Sequence, residues 1–334
     1  MPNVTGLPAS SSQPFIEATQ YSQFILENLS DVLLPEGMWR DVSDFGSGTT
    51  LNIKTVGTVT LQDAAEDVPL VYNPIDTGNV TLTITDYVGD AWAVSDDLRE
   101  DGAQIDTLMG MRAMESTRAF GEQHETRFLS VAGTAQTAAN VNLVNGRPHR
   151  WVAGGAGVTT RVMSFSDFVA MKLSFDKANV PQAGRIAIVD PIVEATLNSL
   201  VLNTTAVNYN PQFEGLMTTG FASTHRFVRN IMGFDVYTSN FLPRVATTEA
   251  LNASSYNLAN TTATSANNDV YNIFMCVADD SCKPIMHAWR RMPKTEGWRD
   301  EELRNDKFQV TSRFGMGAQR LDTLGVIASH GQNY

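Results

Sequence analysis

A chain of 334 residues, 43% of them hydrophobic, is long enough for one large or two moderate cores. No apolar run approaches the roughly 18 residues needed to span a bilayer, and Met1-Pro2-Asn3-Val4-Thr5-Gly6 has neither the basic region nor the apolar core of a signal peptide, so a soluble protein, synthesised and assembled in a cytoplasm, is expected. A formal net charge of -12 weighs against tight or sequence-specific nucleic-acid binding, which needs a concentrated positive surface, but leaves loose enclosure of DNA open.

The charged fraction of 18% lies below the roughly 25% of ordinary soluble proteins, and the basic residues divide into 18 Arg and 6 Lys. Lys depletion with Arg enrichment fits a surface largely covered by partners; genomic codon bias explains it equally well. Cys276 and Cys282 are spaced as neither a Cys-x-x-Cys redox motif nor half a zinc site, and read as reduced packing residues.

In chain order, a Ser/Pro-rich lead opens residues 1–45, an arm in which Phe15, Ile16, Phe24, Ile25, Leu29, Val32 and Leu33 recur at helical spacing. Pro14 suits the first helical turn, and Pro35-Glu36-Gly37 stops the helix. Over residues 46–92 the period becomes two: Leu51 and Ile53 alternate with Asn52 and Lys54, and Val80, Leu82 and Ile84 alternate with threonines. Two long strands joined by an acidic, turn-rich tip are expected. Strands of a dozen residues extend about 40 Å, so such a hairpin projects from a compact chain and needs a neighbour to cover its apolar face. A hairpin folded over its own domain is the bland alternative.

Asp97 followed by Glu100 signals the cap of a long helix within residues 93–163, with Ile105, Met109, Ala113, Phe120, Phe128 and Val131 on one broad face. Unbroken to Ser130 it would span about 50 Å, with a bend or tight contact at Gly110 or Gly121. Residues 164–285 read as an α/β unit. Ser164 or Ser166 starts a helix carrying Phe168, Met171, Leu173 and Phe175, then come a short buried strand at 185–189 and a helix at 192–202 capped by Asp190-Pro191. Thr/Asn-rich stretches at 203–210 and 246–268 read as exposed loops, and residues 273–277, 307–314 and 320–328 as terminal strands, the last two within a closing segment 286–334.

No catalytic, cofactor or metal set emerges. Gly215-Leu216-Met217-Thr218-Thr219-Gly220 has P-loop glycine spacing, but Phe221-Ala222 stand where Lys and Ser/Thr must meet phosphate and magnesium. Neither a Gly-x-Ser-x-Gly elbow nor a His-Glu-x-x-His motif occurs, and the five histidines are scattered. His124-Glu125 on the long helix reads as packing or surface use, Asp96-Asp97 and Asp279-Asp280 as caps and solvated loops. Arg290-Arg291 would meet carboxylates either of an adjacent subunit or of the same chain.

The order of these parts resembles the major capsid proteins of tailed bacteriophages with the Hong Kong 97-like fold. The residues that carry the likeness are Val180-Pro181-Gln182-Ala183-Gly184-Arg185-Ile186-Ala187-Ile188-Val189-Asp190-Pro191, then Met232-Gly233-Phe234-Asp235-Val236-Tyr237-Thr238-Ser239-Asn240-Phe241-Leu242-Pro243, and the closing Phe308-Gln309-Val310-Thr311-Ser312-Arg313-Phe314-Gly315. The resemblance implies an α+β fold with an N-terminal arm (1–45), an E-loop hairpin (46–92), a P-domain with a long spine helix (93–163), an α/β A-domain (164–285) and P-domain return strands (286–334). It also implies a non-enzymatic subunit, without cofactor or metal, that forms hexamers and pentamers of an icosahedral virion shell around double-stranded DNA.

Phe15, Phe24, Ile25 and Leu29 of the arm and Leu51, Ile53, Val80, Leu82 and Ile84 of the hairpin are the expected contacts to neighbours. A separate scaffolding protein and a portal during assembly, and optionally a decoration protein, are further partners the likeness implies. Some relatives join an E-loop Lys to an Asn of a neighbour; residues 62–79 contain no Lys, so a shell without covalent crosslinks is expected. An encapsulin-like compartment around cargo enzymes, and an α/β enzyme with an unrecognised site, are the alternative readings.

Overall fold

The computed structural model describes residues 34, 37–43, 48–57, 59, 61–64, 66–67, 69–70, 72, 77–101, 105–135, 143–154, 161–202, 230–245, 249–252, 260–263 and 268–331. The arm residues Phe15, Phe24, Ile25 and Leu29, and the segment with P-loop-like spacing, lie outside them. The chain enters with β1 (Arg40–Asp41), the hairpin β2 (Thr50–Val56) and β3 (Thr77–Thr83), and β4 (Asp86–Ser95), followed by α1 (Asp96–Asp101) and α2 (Ile105–Thr134). Three short strands, β5 (Leu143–Val144), β6 (Arg147–Pro148) and β7 (Arg150–Val152), lead to α3 (Phe165–Lys177), β8 (Arg185–Val189) and α4 (Pro191–Leu202). Then come β9 (Asn230–Ile231), β10 (Phe234–Thr238), β11 (Glu249–Asn252), β12 (Asn260–Ala263), β13 (Val270–Cys276), β14 (Ile285–Asp300), β15 (Asn305–Ala318) and β16 (Leu324–Ser329).

An eight-stranded mixed sheet, in the order β12-β11-β7-β16-β13-β8-β10-β9, forms the centre. Its middle strands β8, β13 and β16 are buried at every residue, which is why they read as continuous apolar runs rather than alternations. Alternate side chains nevertheless divide the two faces. Ala187, Val189, Phe274 and Cys276 pack with Phe168, Met171 and Phe175 of α3 and with Val193 and Leu197 of α4. Ile186, Ile188, Ile273 and Met275 pack with Phe128, Leu129 and Ala132 at the C-terminal end of α2. The Ile192 N–H donates to Asp190 Oδ1 at 2.9 Å, the expected cap of α4. Ser164 is the cap of α3, its N–H held by the Asp167 carboxylate at 3.0 Å. Before β8, Gly184 sits at φ +67, where a Cβ would meet the Ala278 backbone at 2.7 Å, so only glycine fits the turn.

The second sheet, β1-β14-β15-β4, carries the long helix across one side. β14 is a 16-residue strand, all but its first residue within the expected return segment 286–334, that periodicity alone does not mark; Pro293 and Gly297 interrupt it. The ladder accommodates the proline with register shifts between Trp289 and Arg291 and between Arg291 and Lys294, since a bulge is where a strand tolerates a residue without an N–H.

Several expectations are corrected. The helix expected from Asp97 to Ser130 is divided into α1 and α2; its cap is Ser95, whose Oγ accepts the Leu98 N–H at 3.3 Å. Asp96 is instead drawn to Arg299 at 2.8 Å. The stretch 246–268 contains the hairpin β11/β12, in register from Glu249 opposite Ala263, with Leu251 fully buried. A single apolar anchor among Thr and Asn is too weak a period for sequence reading to detect. β7 and β16 complete the central sheet from outside residues 164–285, because sheet pairing ignores the order in which strands occur along the chain. The hairpin strands have seven residues each, about 24 Å rather than 40 Å.

Candidate inter-subunit surfaces

The hairpin divides into a root and a tip with opposite environments. β2 and β3 pair with Leu51 opposite Leu82 and Ile53 opposite Val80, so the four expected apolar residues share one face. That face rests on the same chain: Leu82, Met286 and Ala288 form a buried cluster, with Leu51, Ile53, Val80 and Val42 packed around it. Leu82 is 1% exposed and Ile84 4%, so these two are core residues of their own chain and not free contacts for a neighbour. The cause is in β15. A Cβ on Gly315 would stand 2.8 Å from Thr83 O, and one on Gly317 would stand 2.9 Å from Leu82 Cδ1, so two glycines let the root lie directly on the strand.

The tip is bare. Leu61 is 91% exposed and Tyr72 98%, and Val56, Val59 and Leu70 are also exposed. Monomeric proteins seldom leave apolar side chains grouped in this way. Sequence reasoning passed over them because the tip was read through its acids and turn residues; the run Val68-Pro69-Leu70-Val71-Tyr72 was the available signal.

The segment leaving the arm is anchored firmly. Leu34 N–H donates to Glu125 Oε2 at 2.7 Å, and Ser239 Oγ donates to Glu125 Oε1 at 2.6 Å, so one buried carboxylate ties the arm's exit to α2 and to the end of β10. Trp39 packs edge-on against His124 and Phe128, and β1 runs parallel to β14. Beneath Trp39, His124 Nε2 lies 3.2 Å from His287 Nε2 among Trp289 and Phe314. Burial lowers both imidazoles to about 4, His287 adding to the effect on His124 while Asp41 partly opposes it on His287. The pair is neutral at pH 7 and serves packing.

Further along α2, Met109 and Phe120 face Trp92, Phe308 and Val310 across an apolar groove of about 930 Å³, and Trp92 and Phe308 stack at 5.8 Å. Arg112 lies 5.9 Å from the centre of the Trp92 ring and 2.7 Å from Asp90. Ala113, expected on the buried face, is exposed and borders this groove instead.

Among the described residues no three His, Cys, Asp or Glu side chains converge as a metal site. Cys276 and Cys282 are free thiols, and burial raises the Cys276 pKa, which makes it a poor nucleophile. Asp280 pairs with Lys283 at 2.7 Å, a local loop contact. No helix among the described residues is long and apolar enough to cross a membrane.

A buried mixed sheet, a long helix lying across a second sheet and a hairpin whose root rests on that sheet make up the fold, and solved capsids superimpose on it as a whole. The chain superimposes on the mature capsid of bacteriophage PhiM1 with a TM-score of 0.68 at 12% identity, covering 93% of this chain and 91% of that one. A structure from Mycobacterium phage Che8 gives 0.62 at 14% identity, over 93% and 97%. The capsid of cyanophage P-SCSP1u gives 0.61 at 16% identity, over 100% and 99%. The fold is therefore the Hong Kong 97-like capsid fold. Residues 78–329 match the phage capsid protein family, and the chain belongs to that family. No curated protein matches it.

Proposed function

We propose that this chain is the major subunit of an icosahedral phage head, a structural protein without catalytic activity, whose copies form hexamers and pentamers around double-stranded DNA in the virion. The observation that carries this reading is the bare apolar tip on a hairpin whose root is locked into its own chain: Leu61 and Tyr72 are held out, almost fully exposed, on a supported base. Neighbouring copies are the natural cover, because each subunit of a closed shell both offers and receives the same contact. Individually weak contacts become cooperative once closure makes them multivalent.

A net charge of -12 favours a wall that contains DNA without gripping it. The absence of Lys from residues 62–79 favours a shell without covalent crosslinks, so mature particles should run as single chains on a denaturing gel. Electron microscopy of the recombinant full-length chain tests the central claim. Closed shells, or rings of five and six, are expected; a stable single molecule at high concentration would refute it.

A further inference from the structure

Cys276 and Cys282 stand six positions apart and form no motif along the chain, yet the fold brings them to one place. Cys276 ends β13, fully buried in the cluster that packs β8 and β13 against α3, and Cys282 is partly buried against the same cluster. Between them the chain reverses: the Cys282 N–H donates to Asp279 O at 2.8 Å and the Lys283 N–H to the same oxygen at 3.1 Å. Residues 278–281 are exposed, so Cys282 is where the turn comes back to the protein body. The stem of the turn is fixed as well. The Val277 N–H donates to Gly184 O at 2.8 Å, and Gly184 lies so close to the Ala278 backbone that no larger residue fits there.

The two thiols act on each other. Burial raises the Cys276 pKa, the Ala278 N–H opposes this by donating to the sulfur, and the Cys282 thiol raises it further by charge and by a hydrogen bond. Cys276 Sγ also makes weak contacts with Ala183 O at 3.6 Å and Pro181 O at 3.9 Å, on the loop that follows α3. One sulfur is covered and its neighbour is open to solvent, the arrangement of a resolving thiol beside an accessible one.

We propose that Cys276 and Cys282 are a redox pair that closes to an internal disulfide when the chain meets glutathione disulfide. The accessible Cys282 thiolate attacks the oxidant, forming a mixed disulfide and releasing one glutathione. Cys276, losing its proton, then attacks the Cys282 sulfur and displaces the second glutathione. Two protein thiols are oxidised, one glutathione disulfide is reduced to two thiols, and the two protons pass to the departing glutathione thiolates. Cys276 ionises poorly, but it is held beside the sulfur it must attack, and proximity offsets that handicap. The bond would staple the passage between the sheets, because β13 belongs to the central sheet and β14, which starts at Ile285, to the second. A chain kept reduced in a cytoplasm would be stapled only after release into an oxidising medium, and this timing alone rests on the shell reading.

The test uses the full-length chain, purified reduced and equilibrated with mixtures of reduced and oxidised glutathione. Free thiols are trapped by alkylation and the peptide carrying both cysteines is weighed. Both thiols should disappear together, leaving that peptide two hydrogens lighter. Folding should favour the disulfide roughly a hundredfold or more over the same chain in concentrated urea, since the fold has already brought the sulfurs together. Cys276→Ala should stop with glutathione on Cys282, and Cys282→Ser should leave Cys276 unmodified while the chain is folded. Amide exchange across residues 277–284 should slow in the oxidised parent chain. A folded parent chain that stops at the glutathione adduct, that links Cys282 between chains, or that closes no more readily than in urea would overturn the proposal and leave the shell reading standing. Failure of the chain to form shells would remove that reading and leave this thiol chemistry as it is.

Discussion

The separation of hairpin root from tip can be tested by two substitutions that look alike in sequence and differ in surroundings. Leu61 and Tyr72 lie almost wholly in water, so Leu61→Ser with Tyr72→Ser removes nothing from the isolated fold, and the single-chain unfolding free energy should move by no more than about 0.5 kcal/mol. Covering both side chains in an assembly is worth about 2 kcal/mol each at ~25 cal/mol per Å². Each contact would then lose up to about 4 kcal/mol, a factor of roughly a thousand in the association of one pair. Leu82→Ala should behave in the opposite way. At 1% exposure, packed with Met286 and Ala288, it should cost about 2–5 kcal/mol of folding stability, with assembly failing only as the fold fails. Urea denaturation of single chains and light-scattering measurement of the threshold concentration for assembly separate the two effects. An unchanged threshold for the tip variant, or a Leu82→Ala chain as stable as the parent, would refute the division.

Gly315→Val would place its Cβ 2.8 Å from Thr83 O and 2.9 Å from Ile84 Cα. The hairpin root should lift from β15, seen as faster amide exchange across residues 77–84 while β8 and β13 keep their protection. His124 and His287 titrate near 4 when folded against 6.5 for the free side chain, so the unfolded chain binds more protons between those values. Stability should therefore fall on acidification from about pH 6.5 toward 4, by up to about 1.4 kcal/mol per pH unit for each histidine, and a His124→Gln, His287→Gln chain should show a flatter profile in denaturant titrations. Glu125→Ala would leave the Leu34 N–H and the Ser239 hydroxyl without their acceptor, at a cost of about 1–3 kcal/mol. Limited proteolysis should then cut near residue 34 well before the parent chain is cut there.

Local order and periodicity were enough to foresee much of this molecule. The alternation of Leu51 and Ile53 with Val80 and Leu82 placed a hairpin whose register pairs those residues, because a strand's period of two needs no tertiary information to be recognised. Asp190-Pro191 marked the start of α4, and the unbroken apolar run at 185–189 marked a strand buried on both faces. β14 was implied only by the resemblance and not by periodicity, because Pro293 and Gly297 interrupt a strand that its partner's register sustains. β11 and β12 escaped notice because their apolar content is little more than Leu251.

What the linear chain could not decide is which face of each element would be covered, and by what. Leu82 and Ile84 look like contacts for a neighbour until Gly315 and Gly317, more than 230 residues away, bring β15 beneath them. Leu61 and Tyr72 look incidental until the loop leaves them uncovered, and Arg290, Arg291 and Arg313 form one cleft only after two strands pair. Periodicity and caps are properties of neighbours in sequence and survive in the unfolded chain's order. Burial and charge clustering are properties of neighbours in space, and only closure of the sheets creates them.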